Sequence, residues 1–341
     1  MKQETGRNGT LDTLKGIAII LVIFAHCIQF GSGFDYLESK SFYDNVVFKF
    51  IYSFHMPLFM LISGYLFYFS IQKHSFQHNL KTRFKSLLIP IIIWQTLWIL
   101  FGDLNYYEGD VLYIFNSYLN TLWFLTSVLI NSLIVLLCNK YAKDSILVYG
   151  MIFCFSLFIP NYHGYNLFVF MFPYFIGAYF YNKTGGIKIP FNNQFKVAGE
   201  VCLLFLFALL MLHYDINDYA YTSGTFIIRN RVLFIAQMYT DIFRWGIGLI
   251  GSLFVIILLA IICSKCPQLR IIRGLRTIGT KTMGLYIIST YLFKLFHLLP
   301  INEFNYLYII IESIMTISLS YLLICFIEKN KYTRAYLLGG R

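Results

Sequence analysis

The sequence predicts an all-α polytopic membrane protein: a helix bundle with about ten transmembrane helices and both termini in the cytoplasm. Three observations carry that expectation. The 341 residues are 58% hydrophobic and only 13% charged, with 35 Phe and 27 Tyr, which is far from the composition of a soluble domain. Apolar segments recur along the whole chain with no long polar stretch between them, so residues 1–341 read as a single integral domain. The basic residues also gather in alternate loops.

The apolar segments run from Leu14 to Phe30, Val46 to Phe69, Leu87 to Phe101, Leu112 to Leu137 and Ile146 to Ile159. They continue from Leu167 to Tyr181, Val197 to Leu212, Phe243 to Ile262, Thr282 to Leu299 and Tyr306 to Ile327. Several are shorter than the ~20 residues a straight span needs, which points to tilted or broken helices. The first has the position of a signal peptide. It lacks a small-residue cleavage site, so it reads as retained. With the N-terminus inside, the inner loops collect Lys73, Lys81, Arg83 and Lys85, then Lys140 and Lys143. Lys183, Lys188 and Lys196 follow, then Lys265 to Lys281, and finally Lys329 to Arg341. The outside keeps only Lys40, Lys49, Arg229, Arg231, Arg244 and Lys294. An even number of spans returns the C-terminus to the cytoplasm.

This distribution accounts for the formal charge of +11, which therefore does not point to nucleic acid. The seven cysteines do not cluster in an outer loop, so no disulfide framework is expected. Cys263 and Cys266 have CxxC spacing without a second ligand pair, and no metal site is expected. The chain shows neither a phosphate-binding glycine loop nor a GxSxG elbow.

Lys15 and His26 are the leading functional candidates. Eleven helical steps bring a side chain back to within roughly 20° of its start, so both project from one face of the first helix. The rise between them is about 16 Å, around half the hydrocarbon thickness. A cation thus lies at the inner surface and an imidazole toward the outer one. Ionisable groups at such depths are costly and are functional candidates by default. Helix two begins outside, so His55 falls in the same layer as His26. His55 also precedes Met56-Pro57, where its ring has a structural option, bonding carbonyls that the proline leaves without a donor.

The segment Leu11-Asp12-Thr13-Leu14-Lys15-Gly16-Ile17-Ala18-Ile19, followed by His26, resembles acyltransferase family 3. So does Phe54-His55-Met56-Pro57-Leu58-Phe59-Met60-Leu61-Ile62-Ser63-Gly64-Tyr65, which is similar to the fucose-4-O-acetylase-like branch. Arg83 to Pro90, Leu122-Trp123-Phe124-Leu125 and Ile278 to Tyr286 extend the likeness. Lys15 stands where the family most often has arginine, which keeps the charge but not the bidentate fork. Ser289 stands where many members have a histidine.

The resemblance implies an enzyme, a membrane O-acyltransferase, with acetyl-CoA or another acyl-CoA as donor and no metal. The acyl group would pass to a hydroxyl of a cell-surface polysaccharide or its lipid-linked precursor, in a bacterial plasma or inner membrane and alongside glycan-synthesis machinery. His26 is the expected general base, with His55 supporting or sharing the role. Lys15, Arg83 and Lys85 are expected to bind the donor's phosphates, and Trp123 to wall the donor tunnel. The Lys15-to-His26 separation is comparable to an extended pantetheine arm. Arg229, Arg231 and Arg244 lie outside, against the charge bias. They suit an anionic acceptor, or pairing with Asp215, Asp218, Asp241 or lipid headgroups. Glu312, in the middle of the last apolar segment, reads either as a carboxyl bonded within the bundle or as part of the acceptor path. The competing functions are a transporter or flippase of a surface-glycan intermediate, and a non-catalytic subunit of a glycan-synthesis complex.

Overall fold

The structure is a computed structural model that describes residues 9–101, 111–158, 166–186, 193–220, 234–296 and 304–340. Every regular element among the described residues is helical. In chain order they are α1 (Gly9–Phe30), α2 (Phe34–Glu38), α3 (Val46–Lys73), α4 (Phe76–Arg83), α5 (Ile89–Phe101), α6 (Val111–Asn120), α7 (Trp123–Ala142) and α8 (Ile146–Ser156). Then follow α9 (Asn166–Lys183), α10 (Asn193–Met211), α11 (Phe234–Lys265), α12 (Arg270–Thr280), α13 (Thr282–Phe296), α14 (Tyr306–Glu328) and α15 (Lys331–Leu337).

Local chemistry sets several boundaries. The Asn45 side chain accepts from the amides of Val47 and Phe48 and opens α3. Ser75 caps α4 through the His78 amide, and Asn330 caps α15 through the Tyr332 amide. Lys143 and Asp144 adopt left-handed backbone and stop α7.

Six helices are long and apolar enough to cross a membrane, and three shorter apolar helices accompany them, among the described residues. The last of the six, α14, has burial that is the reverse of a soluble helix. On α14, Glu312, Ser313, Thr316 and Ser320 are buried, while Leu307, Ile314, Leu322 and Phe326 are exposed. An apolar solvent favours that arrangement, since backbone and polar side chains must be satisfied inside. The protein is therefore a polytopic membrane helix bundle.

Three of the predicted spans differ from the structure. Leu112 to Leu137 is not one helix. It divides into α6 and α7 at Thr121 and Leu122. The polar residues at that break are used sideways: Gln95 donates to Ser117 at 2.9 Å, and Thr96 meets Tyr118 at 2.9 Å. Leu87 to Phe101 is the end of a longer rod, Phe76 to Phe101, interrupted by a π-helical turn at Phe84–Leu88. Pro90 cannot donate to the Ser86 carbonyl, so the ladder loosens where the π turn lies. Phe243 to Ile262 is the middle of α11, whose 32 residues extend about 48 Å and outreach a ~30 Å hydrocarbon layer.

The chain forms two compact units. Unit 1 comprises residues 1–59, 190–215 and 247–324; unit 2 comprises 60–189, 216–246 and 325–341. In unit 1, α1 packs chiefly on α12 and α13. The contact is backbone to backbone, because a Cβ at Gly16 would strike the Leu275 carbonyl and one at Gly279 would strike the Asp12 carbonyl. In unit 2, α7 packs on α9, and Gly64 brings α3 against the Phe175 carbonyl. Trp94 donates to the Leu337 carbonyl at 2.9 Å, and Gly339 lies on the Ser86 backbone beside the π turn.

Candidate active site

The His26 ring is fixed by its own helix. Nδ1 lies 2.8 Å from the Val22 carbonyl, and a carbonyl only accepts, so Nδ1 carries the proton. Nε2 is then the nitrogen with a lone pair, the atom a general base needs. Phe293 of α13 stacks on the ring at 5.1 Å between centroids, nearly parallel, and Phe30 flanks it at 6.1 Å. The imidazole can neither tilt freely nor change its protonated nitrogen without losing the Val22 bond.

Nε2 faces the Tyr52 hydroxyl at 3.4 Å. That hydroxyl also lies 3.1 Å from Gln29 Oε1 and has one proton to give. When it serves Gln29, the Nε2 lone pair stays available. Tyr52 is in turn fixed by Phe48, stacked at 3.9 Å.

The His55 ring lies 4.7 Å from Tyr52, so Tyr52 brings the two histidines together in unit 1. His55 is fully buried, and its Nδ1 donates to the Ile51 carbonyl at 2.8 Å. The structural option for His55 thus takes a different form. The carbonyl without its helical donor before Pro57 belongs to Ser53, and His55 bonds its own i−4 carbonyl, as His26 does. Ser252 of α11 donates to the neighbouring Phe54 carbonyl at 3.3 Å.

Tyr52, Gln29 and Phe293 are the residues that sequence reasoning missed. Two were within reach. Gln29 is three residues after His26 and Tyr52 three before His55, the spacing that places side chains on one helix face. Phe293 required knowledge of how α13 packs. Ser289 lies one turn before Phe293 on α13, buried and donating to the Tyr286 carbonyl at 3.2 Å.

At the other end of α1, Lys15 Nζ lies 2.7 Å from Asp12, whose side chain is only 6% exposed. The remaining donor candidates belong to unit 2. Arg83 lies over the Phe67 ring at 4.3 Å, Lys85 is exposed on the π turn, and Trp123 opens α7 with its ring edge-on to Phe124. Arg244, also in unit 2, is buried. Its Nη1 donates to Asp241 at 3.1 Å and its Nη2 to the Asn217 carbonyl at 3.1 Å. Of the three arginines expected on the outer side, Arg229 and Arg231 lie outside the described residues. Among the described residues, no His, Cys, Asp and Glu cluster could hold a metal.

Helices dressed for lipid, with an anchored imidazole among aromatic rings in their interior, define a multi-pass membrane protein with a candidate base. The family pattern described as an acyltransferase domain, that of acyltransferase family 3, matches residues 8–325. The chain belongs to that family. It is 33% identical over 145 residues to nodulation protein NolL of Mesorhizobium japonicum, covering 41% of this chain and 38% of that protein. It is 44% identical over 91 residues to nodulation protein NolL of Sinorhizobium fredii, covering 27% of this chain and 24% of that protein. The chain thus spans less than half the length of these curated relatives. No solved structure matches it.

Proposed function

We propose that this acyltransferase moves an acyl group, in the first instance acetyl, from cytoplasmic acyl-CoA to a hydroxyl of a cell-surface polysaccharide or its lipid-linked precursor. The membrane in question is the bacterial plasma or inner membrane. The carrying observation is the His26 arrangement: Nδ1 bound to the Val22 carbonyl, Nε2 directed at a hydroxyl.

In the reaction, Nε2 accepts the proton of the acceptor hydroxyl as its oxygen attacks the thioester carbonyl. The tetrahedral intermediate collapses with loss of the C–S bond, and the imidazolium returns the proton to the departing thiolate. The ester and free coenzyme A thiol result, with no net proton released. Tyr52 marks where a substrate hydroxyl would lie and holds the ring's environment polar. His55 supports that layer from α3.

Lys15 meets the donor's phosphates from α1; Arg83 and Lys85, two residues apart, are the basic donor candidates of unit 2. Arg229 and Arg231 serve an anionic acceptor. Arg244, the third acceptor candidate, is bonded to Asp241 and to the Asn217 carbonyl.

Acetyl-CoA binding by the purified protein, together with O-acetyl content of surface glycan in cells with and without it, tests the proposal. Binding of acetyl-CoA and loss of glycan acetylation on deletion are expected. Unchanged glycan acetylation in the deletion strain would contradict it, and would favour a transporter if glycan export failed instead.

A further inference from the structure

The donor reading assigns phosphate binding in unit 1 to Lys15 alone, and the geometry around Lys15 makes that insufficient. Its ammonium is held 2.7 Å from a buried carboxylate, so its charge is locally offset by Asp12. A phosphate approaching the pair meets Asp12 as well as Lys15. Another cation is required in the same unit, and α12 presents one.

Arg276 lies on the face of α12 turned to α1. Its guanidinium rests against the first residue of α1: a Cβ at Gly9 would stand 3.0 Å from Cζ and Nε and 3.4 Å from Nη1. Only a glycine leaves the group that room without displacing it. Arg276 Nε is shut off from solvent and has no hydrogen-bond partner among the described residues. No ion pair to Arg276 is found among them either. A guanidinium held without a carboxylate, its Nε desolvated, is a costly arrangement unless an anion completes it. The backbone that carries it is fixed. The Gly16–Leu275 and Gly279–Asp12 backbone contacts lock α12 onto α1 on either side of it. Arg270 and Arg273, on the same helix, are exposed and need no such explanation.

We infer that Arg276 is a phosphate-binding residue of the donor site, gripping a phosphate group of the acyl-CoA nucleotide with its planar fork at the cytoplasmic end of α1. This rests on the reading that acyl-CoA is the donor. The fork matters because two parallel N–H bonds to phosphate oxygens are geometrically specific, as a lysine's are not. The preformed α1–α12 contact lowers the ordering cost of binding.

The experiment uses purified full-length protein and two probes, acetyl-CoA and S-acetylpantetheine, which lacks every phosphate. Arg276→Gln should weaken acetyl-CoA binding by about tenfold to a hundredfold, the loss of a charge-assisted pair. Binding of S-acetylpantetheine should not change. Arg270→Gln, the same charge change on the exposed face, should leave both unchanged. Arg276→Lys, which retains the charge and favours insertion, should bind acetyl-CoA measurably less tightly than wild type. If the glutamine and lysine variants both bind acetyl-CoA as tightly as Arg270→Gln, the role of Arg276 is overturned. If wild-type protein does not bind acetyl-CoA at all, the donor reading beneath it fails instead.

Discussion

Two polar clusters, one in each unit, show what separates support from chemistry in this protein. In unit 2, Asp144 sits between α7 and α8 and receives four donors. Lys183 Nζ is at 2.7 Å, Tyr179 at 2.8 Å, and Asn139 and Tyr149 at 2.9 Å. Both carboxylate oxygens are engaged, and three helices are tied to one turn. In unit 1, His26 has one nitrogen fixed and the other facing a hydroxyl at 3.4 Å that has a second acceptor to serve. The first cluster is closed and has nothing left to offer a substrate. The second is rigid but incomplete at the one atom that can take a proton. Satisfied charge reads as structure, and a fixed group with capacity in reserve reads as function.

The largest expected effect breaks the open cluster. His26→Ala should lower acyl transfer by about 10²–10⁴-fold, the usual loss of a general base, while the protein inserts at normal levels. O-acetyl content of surface glycan, normalised to membrane-inserted protein, measures it. His55→Ala should cost less if His55 acts only through Tyr52 and His26. Equal losses would make the histidines joint catalysts.

Breaking the closed cluster should do the opposite. Asp144→Ala leaves the Lys183 ammonium and two tyrosine hydroxyls without their acceptor, and should destabilise the protein by about 3 kcal/mol or more. Thermal unfolding in detergent reads this directly. Turnover per folded molecule should not fall. A large loss of turnover without loss of stability would erase the contrast between the two clusters.

A pH series sharpens it. Burial raises the Asp144 pKa, but the bonds from Lys183, Asn139, Tyr179 and Tyr149 outweigh burial and hold the carboxyl below its ordinary value of 3.8. A depressed folded pKa contributes stability above the unfolded value, lost as pH falls through the folded one. Wild-type stability should therefore drop below about pH 4 by an increment absent from Asp144→Asn. Identical acid profiles for the two proteins would remove the assignment.

The smallest effect concerns Tyr52. Tyr52→Phe keeps the stacking on Phe48 and deletes the hydroxyl near His26 and Gln29. It should reduce kcat by roughly tenfold, within the range of one hydrogen bond, and change the pH–rate profile. A change in KM alone would make Tyr52 a substrate contact.

Much of this architecture was legible in the chain, because a membrane helix must satisfy its backbone internally and show an apolar surface. The span from Leu14 to Phe30 and the start of α3 at Val46 follow from that requirement alone. The break at Thr121 was marked only by Asn116, Ser117, Asn120 and Thr121 within an otherwise apolar run, which a single polar-flecked helix would also show; the sideways bonds of Ser117 and Tyr118 reveal it. The π turn at Phe84–Leu88 depends on Pro90, which was visible, and on Gly339 packing at Ser86, which was not. At the site, Lys15 and His26 were marked by their cost in lipid. Asp12 and Gln29 were visible only as i,i+3 neighbours, and Phe293 arrives through a helix hundreds of residues away. Arg244 shows the converse. Its sequence position suited either an acceptor contact or pairing with an aspartate such as Asp241, and the structure shows the Asp241 pair.

The most direct test of the central claim measures acetyl-CoA binding and acyl transfer on the same preparation of purified His26→Ala protein. A group that acts as the base should leave donor binding within about twofold of wild type while transfer falls by two orders of magnitude or more. Transfer at near wild-type rate, or donor binding lost in step with transfer, would contradict the assignment of His26 as the base.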